Sequence, residues 1–138
     1  MDEVVCELRV RYVETDQMGI VHHSVYFHWM EVGRTEYMRK KGFPYSKLEA
    51  SGIRMPLIES GAKYITPAKY DDEIIVKTKL EEFSPIRFSF TYKIIRKSDN
   101  KLIAEGITKH IAADCQNKPK RVPKEILSII GGPIDKSL

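Results

Sequence analysis

The sequence contains no Cys-x-x-Cys pair and only two cysteines, Cys6 and Cys115. That spacing argues against a structural zinc site. Both cysteines sit in strand-like stretches, where a buried free thiol is the ordinary expectation. No apolar run approaches the roughly 18–20 residues that a membrane helix needs, so no membrane span is expected. The start, Met1-Asp2-Glu3, is acidic and lacks a signal-peptide pattern, which makes the cytoplasm the expected location. Repeats, low-complexity tracts and linkers are all missing. So are a nucleic-acid recognition module, an aromatic stacking set and a strong basic stripe, so no nucleic-acid partner is expected.

What is present suits one packed unit. The 138 residues fit a single domain over 1–138, and a 42% hydrophobic content is enough for a core. The net charge of +4 is spread along the chain, with a local cluster at Lys118, Lys120 and Arg121. A mild basic excess suits an anionic partner, although a solvated Lys/Glu surface is the better explanation of the charge taken alone.

Periodicity gives the element order. Val4 to Tyr12 alternates as a half-buried strand, with Cys6, Leu8, Val10 and Tyr12 on one side. Val25 to Lys41 reads as the main helix, with Ser24 as its N-cap and Gly42 as its stop. Its apolar stripe is Val25, Trp29, Val32, Gly33 and Tyr37. Gly33 in mid-helix costs about 1 kcal/mol against Ala, which a close approach to a sheet would justify. A short helix at Pro44 to Ala50 follows. Strands are expected at Pro56–Pro67, Glu73–Phe83, Arg87–Arg96 and Leu102–Ala113, and a last helix at Pro123–Ile130, stopped by Gly131-Gly132-Pro133. Tyr70-Asp71-Asp72 and Ser98–Lys101 read as turns. Phe88, Phe90, Tyr92 and Ile94 share one strand face, as do Ile103, Ile107 and Ile111. One long apolar helix must bury its stripe, and the only large partner is the face of an antiparallel sheet. The expected class is α+β, with a curved sheet around one helix.

The chemistry concentrates in residues 12–26, between the first strand and the main helix. This stretch gathers Asp16, Gly19, His22, His23 and Tyr26. The first amides of a helix lack internal partners and carry partial positive charge, so they can hold a developing oxyanion. A carboxylate beside them can serve as general base or nucleophile. The arrangement is suited to acyl transfer.

The same residues carry a resemblance. Tyr12, Thr15-Asp16, Gly19, Val21, His23 and Tyr26, followed by Glu31 and Arg34 on the helix, resemble the signature of the 4-hydroxybenzoyl-CoA thioesterase family. The likeness is strongest to its short-chain acyl-CoA branch associated with the bacterial Tol–Pal cluster. It continues through Pro67-Ala68-Lys69-Tyr70-Asp71-Asp72 and covers the chain from the first strand to about Asp114. It implies the hotdog fold, a homodimer or homotetramer with sites at subunit interfaces, and hydrolysis of a short-chain or aromatic acyl-CoA without cofactor or metal. By resemblance, Asp16 is the catalytic carboxylate, and the His23 backbone amide polarises the thioester carbonyl. Tyr26 lines or orients the pocket, and Tyr12 is support or core.

Other residues have blander readings beside the sharp ones. His22 and His23 with Asp16 make a poor metal set, because adjacent ligands on one loop lack a second cluster. His28 and His110 read as surface or core histidines, and Trp29 as core. Glu31 and Arg34 read as an i,i+3 ion pair rather than as catalysts. Arg87, Lys118, Lys120 and Arg121 are candidates for the coenzyme A phosphates, with solvated charge as the alternative. A non-catalytic acyl-CoA-binding hotdog module and a hotdog hydratase are the competing functions. A His-Phe-Pro-Gly segment, expected of the latter, is not found.

Overall fold

A computed structural model describes residues 3–132. Met1 and Asp2 of the acidic start and Pro133 of the terminal stop lie outside the described residues. The elements are β1 (Glu3–Arg9), α1 (Val25–Lys40), α2 (Tyr45–Ala50), β2 (Leu57–Tyr64), β3 (Glu73–Phe83), β4 (Arg87–Arg96), β5 (Lys101–Ile111) and α3 (Lys124–Gly131). One sheet has the order β1-β3-β4-β5-β2, antiparallel at every pairing. Register shifts at Leu80/Glu82 and Ile94/Ile95 mark bulges, which bend and twist a sheet. The expected α+β design, a helix held by a curved antiparallel sheet, is present.

Two glycines let helix and sheet approach closely. A Cβ on Gly33 of α1 would sit 2.4 Å from Thr78 Oγ1 and 2.9 Å from Val76 Cγ1 on β3. A Cβ on Gly106 of β5 would meet Met30 Sδ at 2.7 Å, so this glycine makes room for a helix side chain. The closeness expected from Gly33 is therefore real. Around it Val25, Tyr26, Trp29, Met30, Tyr37 and Met38 are buried against Ile74, Val76, Leu80, Phe90 and Tyr92. Each large apolar side chain so buried contributes about 1.5–3 kcal/mol. Gly42 takes φ +89° just past α1, and Gly52 takes φ +90° just past α2. Both conformations favour glycine and end helices.

Several expectations need correction. β1 stops at Arg9, and Tyr12 lies in a 3-10 turn, 77% exposed, its ring edge-on to Tyr70 at 5.5 Å. It is neither strand nor core, because the chain leaves β3 where Arg9 pairs with Glu73. Val32 is 41% exposed and outside the buried stripe, which Met30 and Tyr26 fill instead. Ser24 already has helical φ/ψ and does not cap; its hydroxyl meets His22 Nδ1 at 2.8 Å. On β5 the inward residues are Ala104, Gly106, Thr108 and His110, paired with Ile94, Tyr92, Phe90 and Phe88. The bulge beside Ile94 breaks the parity. Ile103 is buried, whereas Ile107 and Ile111 are only half-buried on the far side. Cys115 is exposed beyond β5 rather than buried in a strand; Cys6 is half-buried, and both thiols are free. β2 spans Leu57–Tyr64, shorter than expected, and is an edge strand paired only with β5.

Candidate active site

The segment between β1 and α1 is built on Glu14. Its carboxylate is buried, accepting from Arg11 N at 2.7 Å through Oε1 and from the Trp29 indole at 3.1 Å through Oε2. Its carbonyl accepts from His22 N at 2.9 Å. A buried carboxylate is tolerated only when hydrogen-bonded, and these donors meet that condition. Glu14 and His22 therefore close the base of a loop over residues 15–21, and Trp29 ties that base to α1. Sequence reading gave Glu14 no role. The available signal was a tryptophan on the buried stripe, whose indole N–H needs an acceptor.

Within the loop Asp16 shapes its own turn. Its Oδ1 accepts from Met18 N at 2.8 Å and Ile20 N at 3.4 Å, while Gly19, at φ +80°, supplies the reversal. Val21 N donates to Ala68 O at 2.9 Å and stitches the loop to the Pro67–Tyr70 stretch. One carboxylate oxygen is thus fixed by backbone donors, and Oδ2 accepts no hydrogen bond among the described residues.

Asp16 lines a cavity of about 310 Å³ together with His23, Tyr26, Tyr64, Met18 and Ile65. The chain enters α1 here. Val25 N donates to His22 O at 3.0 Å, and Ser24 N approaches His22 Nδ1 at 3.2 Å. The His23 amide donates to nothing among the described residues. Tyr26 is buried, with its ring 5.3 Å from Tyr64 and 5.1 Å from Trp29. Burial pushes its phenol up, while a hydrogen bond from the Ala68 backbone pulls it back. Tyr64 on the edge strand donates to His23 O at 3.3 Å. Met18 is 77% exposed, and Tyr64 and Ile65 are also open to solvent. The cavity wall around Asp16 is apolar and incompletely covered by this one chain. A carboxylate with a free oxygen, an unpartnered amide at a helix start and an apolar recess are the parts that acyl transfer requires.

The remaining expected residues divide. Arg87 and Arg121 line a second cavity of about 490 Å³ with Ser84, Pro85 and Ile86; Lys118 does not line it. That cavity shares no lining residue with the one around Asp16. His22, His23 and His28 are exposed, and His110 is core. Glu31 and Arg34 do not form the expected ion pair. The Arg34 guanidinium instead sits near the Tyr92 phenol across the helix–sheet interface, where its charge pulls down a phenol pKa that burial raises. Among the described residues no three His, Cys, Asp or Glu side chains gather as a metal ion would need, and no helix is long and apolar enough to cross a membrane.

Comparison with known proteins identifies the family and the fold. Residues 10–130 match the family model described as the thioesterase-like superfamily. A crystal structure of a protein from Aquifex aeolicus superposes with a TM-score of 0.85 at 38% identity, covering 92% of this chain and 98% of that one. The DHNA-CoA thioesterase of Staphylococcus aureus gives a TM-score of 0.84 at 34% identity, covering 88% of this chain and 81% of that one. An acyl-CoA thioesterase of Haemophilus influenzae is 30% identical over 121 residues, which are 86% of this chain and 88% of the relative.

Proposed function

The chain belongs to the thioesterase-like superfamily, and on that premise we propose that it hydrolyses an acyl-CoA thioester to the free acid and coenzyme A. The observation that carries the assignment is Asp16 sharing one cavity with the unpartnered His23 amide at the start of α1. A thioester has weak resonance and a good leaving group. The protein must therefore mainly supply an oriented nucleophile and a donor for the carbonyl oxygen. In this reading the His23 N–H donates to the carbonyl oxygen as negative charge develops there. Asp16 either takes a proton from an attacking water or attacks the carbonyl carbon itself, forming an anhydride that water then opens. In both routes the C–S bond breaks and the coenzyme A sulfur leaves, taking up a proton.

Tyr26 and Tyr64 flank the recess, and Met18 and Ile65 extend its apolar wall. A recess of this size and character suits a short aliphatic chain or a single aromatic ring. The names of the relatives, one a DHNA-CoA thioesterase and another an acyl-CoA thioesterase, agree with a coenzyme A thioester as substrate. Arg87 and Arg121 supply positive charge for the coenzyme A phosphates, with Lys118 nearby in sequence. Assembly as a homodimer or homotetramer is part of the proposal. Edge strand β2 leaves Leu57, Ile58 and Tyr64 about half exposed beside the open Asp16 recess. A second copy would both pair that edge and cover the recess. Cytoplasmic location completes the reading.

Thiol release from short, long and aromatic acyl-CoAs tests the activity. Turnover by the wild type and its loss in Asp16→Asn is the expected result. A folded protein that releases no thiol from any member of the panel would make the chain a non-catalytic acyl-CoA-binding module.

A further inference from the structure

A third cavity, of about 280 Å³, lies between α1, α2 and the sheet, bounded by Arg34, Met38, Met55, Phe90 and His110, with Glu31 among its lining residues. It shares no lining residue with the Asp16 cavity. Its polar wall is rigid, and its hydrogen bonds run in one direction. His110 Nδ1 meets Met55 O at 3.1 Å, and a carbonyl only accepts, so Nδ1 carries the proton. Burial holds the imidazole well below its ordinary pKa, at about 4, so it is neutral at neutral pH and Nε2 accepts. The Thr108 hydroxyl, 3.0 Å away, therefore donates to Nε2. Thr108 Oγ1 in turn accepts from the Tyr92 phenol at 2.6 Å, and the charge of Arg34 lies near that phenol.

This relay pairs both ring nitrogens of His110, and Thr35 adds a hydroxyl to the same wall. Arg34 has five N–H donors in all and forms no ion pair among the described residues. A second donor sits opposite. Tyr45 Oη accepts from Met55 N at 3.0 Å, which leaves its own O–H uncommitted among the described residues. The one acidic lining residue, Glu31, is exposed. The cavity thus offers one uncompensated positive charge, two sets of free donors and walls of Met38, Met55 and Phe90. Such a recess is complementary to an anion with an apolar body.

We propose that this cavity is a ligand site separate from the thioesterase centre, taking a small carboxylic acid whose carboxylate meets Arg34 and Tyr45 and whose apolar body lies against Met38, Met55 and Phe90. The site stands independently of the catalytic reading. The probe is 4-bromobenzoate, titrated calorimetrically into the intact protein, with acetate and inorganic phosphate as comparisons. The expected result is saturable binding of 4-bromobenzoate, with acetate and phosphate weaker. Arg34→Gln weakens it by about tenfold or more, the loss of a charge-assisted pair. Thr35→Phe, which fills the cavity without touching the relay, abolishes it and serves if Arg34→Gln does not fold. Glu31→Gln leaves affinity equal or tighter. A bromine anomalous peak in co-crystals locates the ligand. No binding, a peak only in the Asp16 cavity, undiminished affinity in both cavity variants, or phosphate as tight as 4-bromobenzoate would each overturn the proposal. Weaker binding in Glu31→Gln would do the same, since an anion site does not need that carboxylate.

Discussion

Glu14 and Trp29, fifteen residues apart, are joined by a buried hydrogen bond of 3.1 Å from the indole N–H to Oε2. That bond fixes the base of the Asp16 loop to the helix whose first turn supplies the proposed oxyanion donor. Carboxylate and donor are therefore held relative to each other by a residue that touches neither substrate nor reacting atom.

Glu14→Ala should accordingly damage both stability and turnover. It leaves the Trp29 indole and the Arg11 amide without their acceptor, a loss of about 2–4 kcal/mol for buried groups bonded to a charge. Urea unfolding measures it. Glu14→Gln, whose one carbonyl oxygen can serve only one of the two donors while its NH2 faces the other, should fall between wild type and Glu14→Ala. Thiol release should fall in the same order. Equal stability of wild type and Glu14→Ala would show that the loop is anchored elsewhere.

The Asp16 assignment makes a sharper kinetic demand. Asp16→Asn should lower kcat by about a hundredfold or more, in the range of lost acid–base or nucleophilic groups, without changing the melting temperature much. Its Oδ1 remains able to accept from Met18 and Ile20, so the turn survives. His23→Ala should cost far less, because the proposed donor is the backbone amide. A collapse in His23→Ala as deep as that in Asp16→Asn would assign the imbalance to the imidazole. Single-turnover hydrolysis in 18O-water separates the two roles of Asp16: label enters the Asp16 side chain only by the anhydride route.

Much of this architecture was legible because alternation and helical periodicity follow burial directly. Glu73–Phe83 and Arg87–Arg96 fall where the pattern puts them, and Gly33 announced the tight helix–sheet contact. The misreadings share one cause: sequence spacing says what can meet, not what competes. Arg34 lies one turn from Glu31, yet no ion pair joins them among the described residues, and the Arg34 charge lies near the Tyr92 phenol instead. Ile107 and Ile111 keep step with Ile103 in the sequence, but the bulge beside Ile94 removes them from its side. Ser24 has the chemistry of a cap, but the turn from His22 brings it in already helical. The site residues Asp16, His23 and Tyr26 do come together, because one short loop and one helix turn carry all three. Arg87 and Arg121 also meet, on a separate recess, through contacts far apart in the chain that no local pattern encodes.

Gly33→Ala should be destabilising despite gaining helix propensity. The gain is about 1 kcal/mol, whereas forcing a methyl to within 2.4 Å of Thr78 Oγ1 costs about 1–3 kcal/mol in a packed interface. Thr78→Ala removes the nearer of the two clashing atoms, leaving Val76 Cγ1 at 2.9 Å, and with it a buried hydroxyl that has no hydrogen-bond partner. The pair should therefore couple. Gly33→Ala should be less harmful in the Thr78→Ala background. A double-mutant cycle by denaturant unfolding reads the coupling, and simple additivity would mean that the helix shifts to accommodate the methyl.

His110 gives the protein a defined acid sensitivity. Its imidazole is neutral in the folded state down to about pH 4, because burial and the nearby Arg34 charge outweigh the favourable contact to Met55 O. In the unfolded chain it takes a proton near pH 6.5. A depressed folded value means that the unfolded state binds the extra proton first. The contribution is complete above about pH 6.5 and is lost as pH falls from there to about 4, at a slope of at most about 1.4 kcal/mol per pH unit for one proton. Melting temperatures of wild type and His110→Gln across pH 4 to 8 test this. The variant should be less stable at pH 8, having lost the relay to Thr108, yet its stability should decline less between pH 6.5 and 4. Parallel curves would mean that the imidazole takes up its proton at the same pH in the folded and unfolded chain, so that burial does not hold it neutral below about pH 6.5.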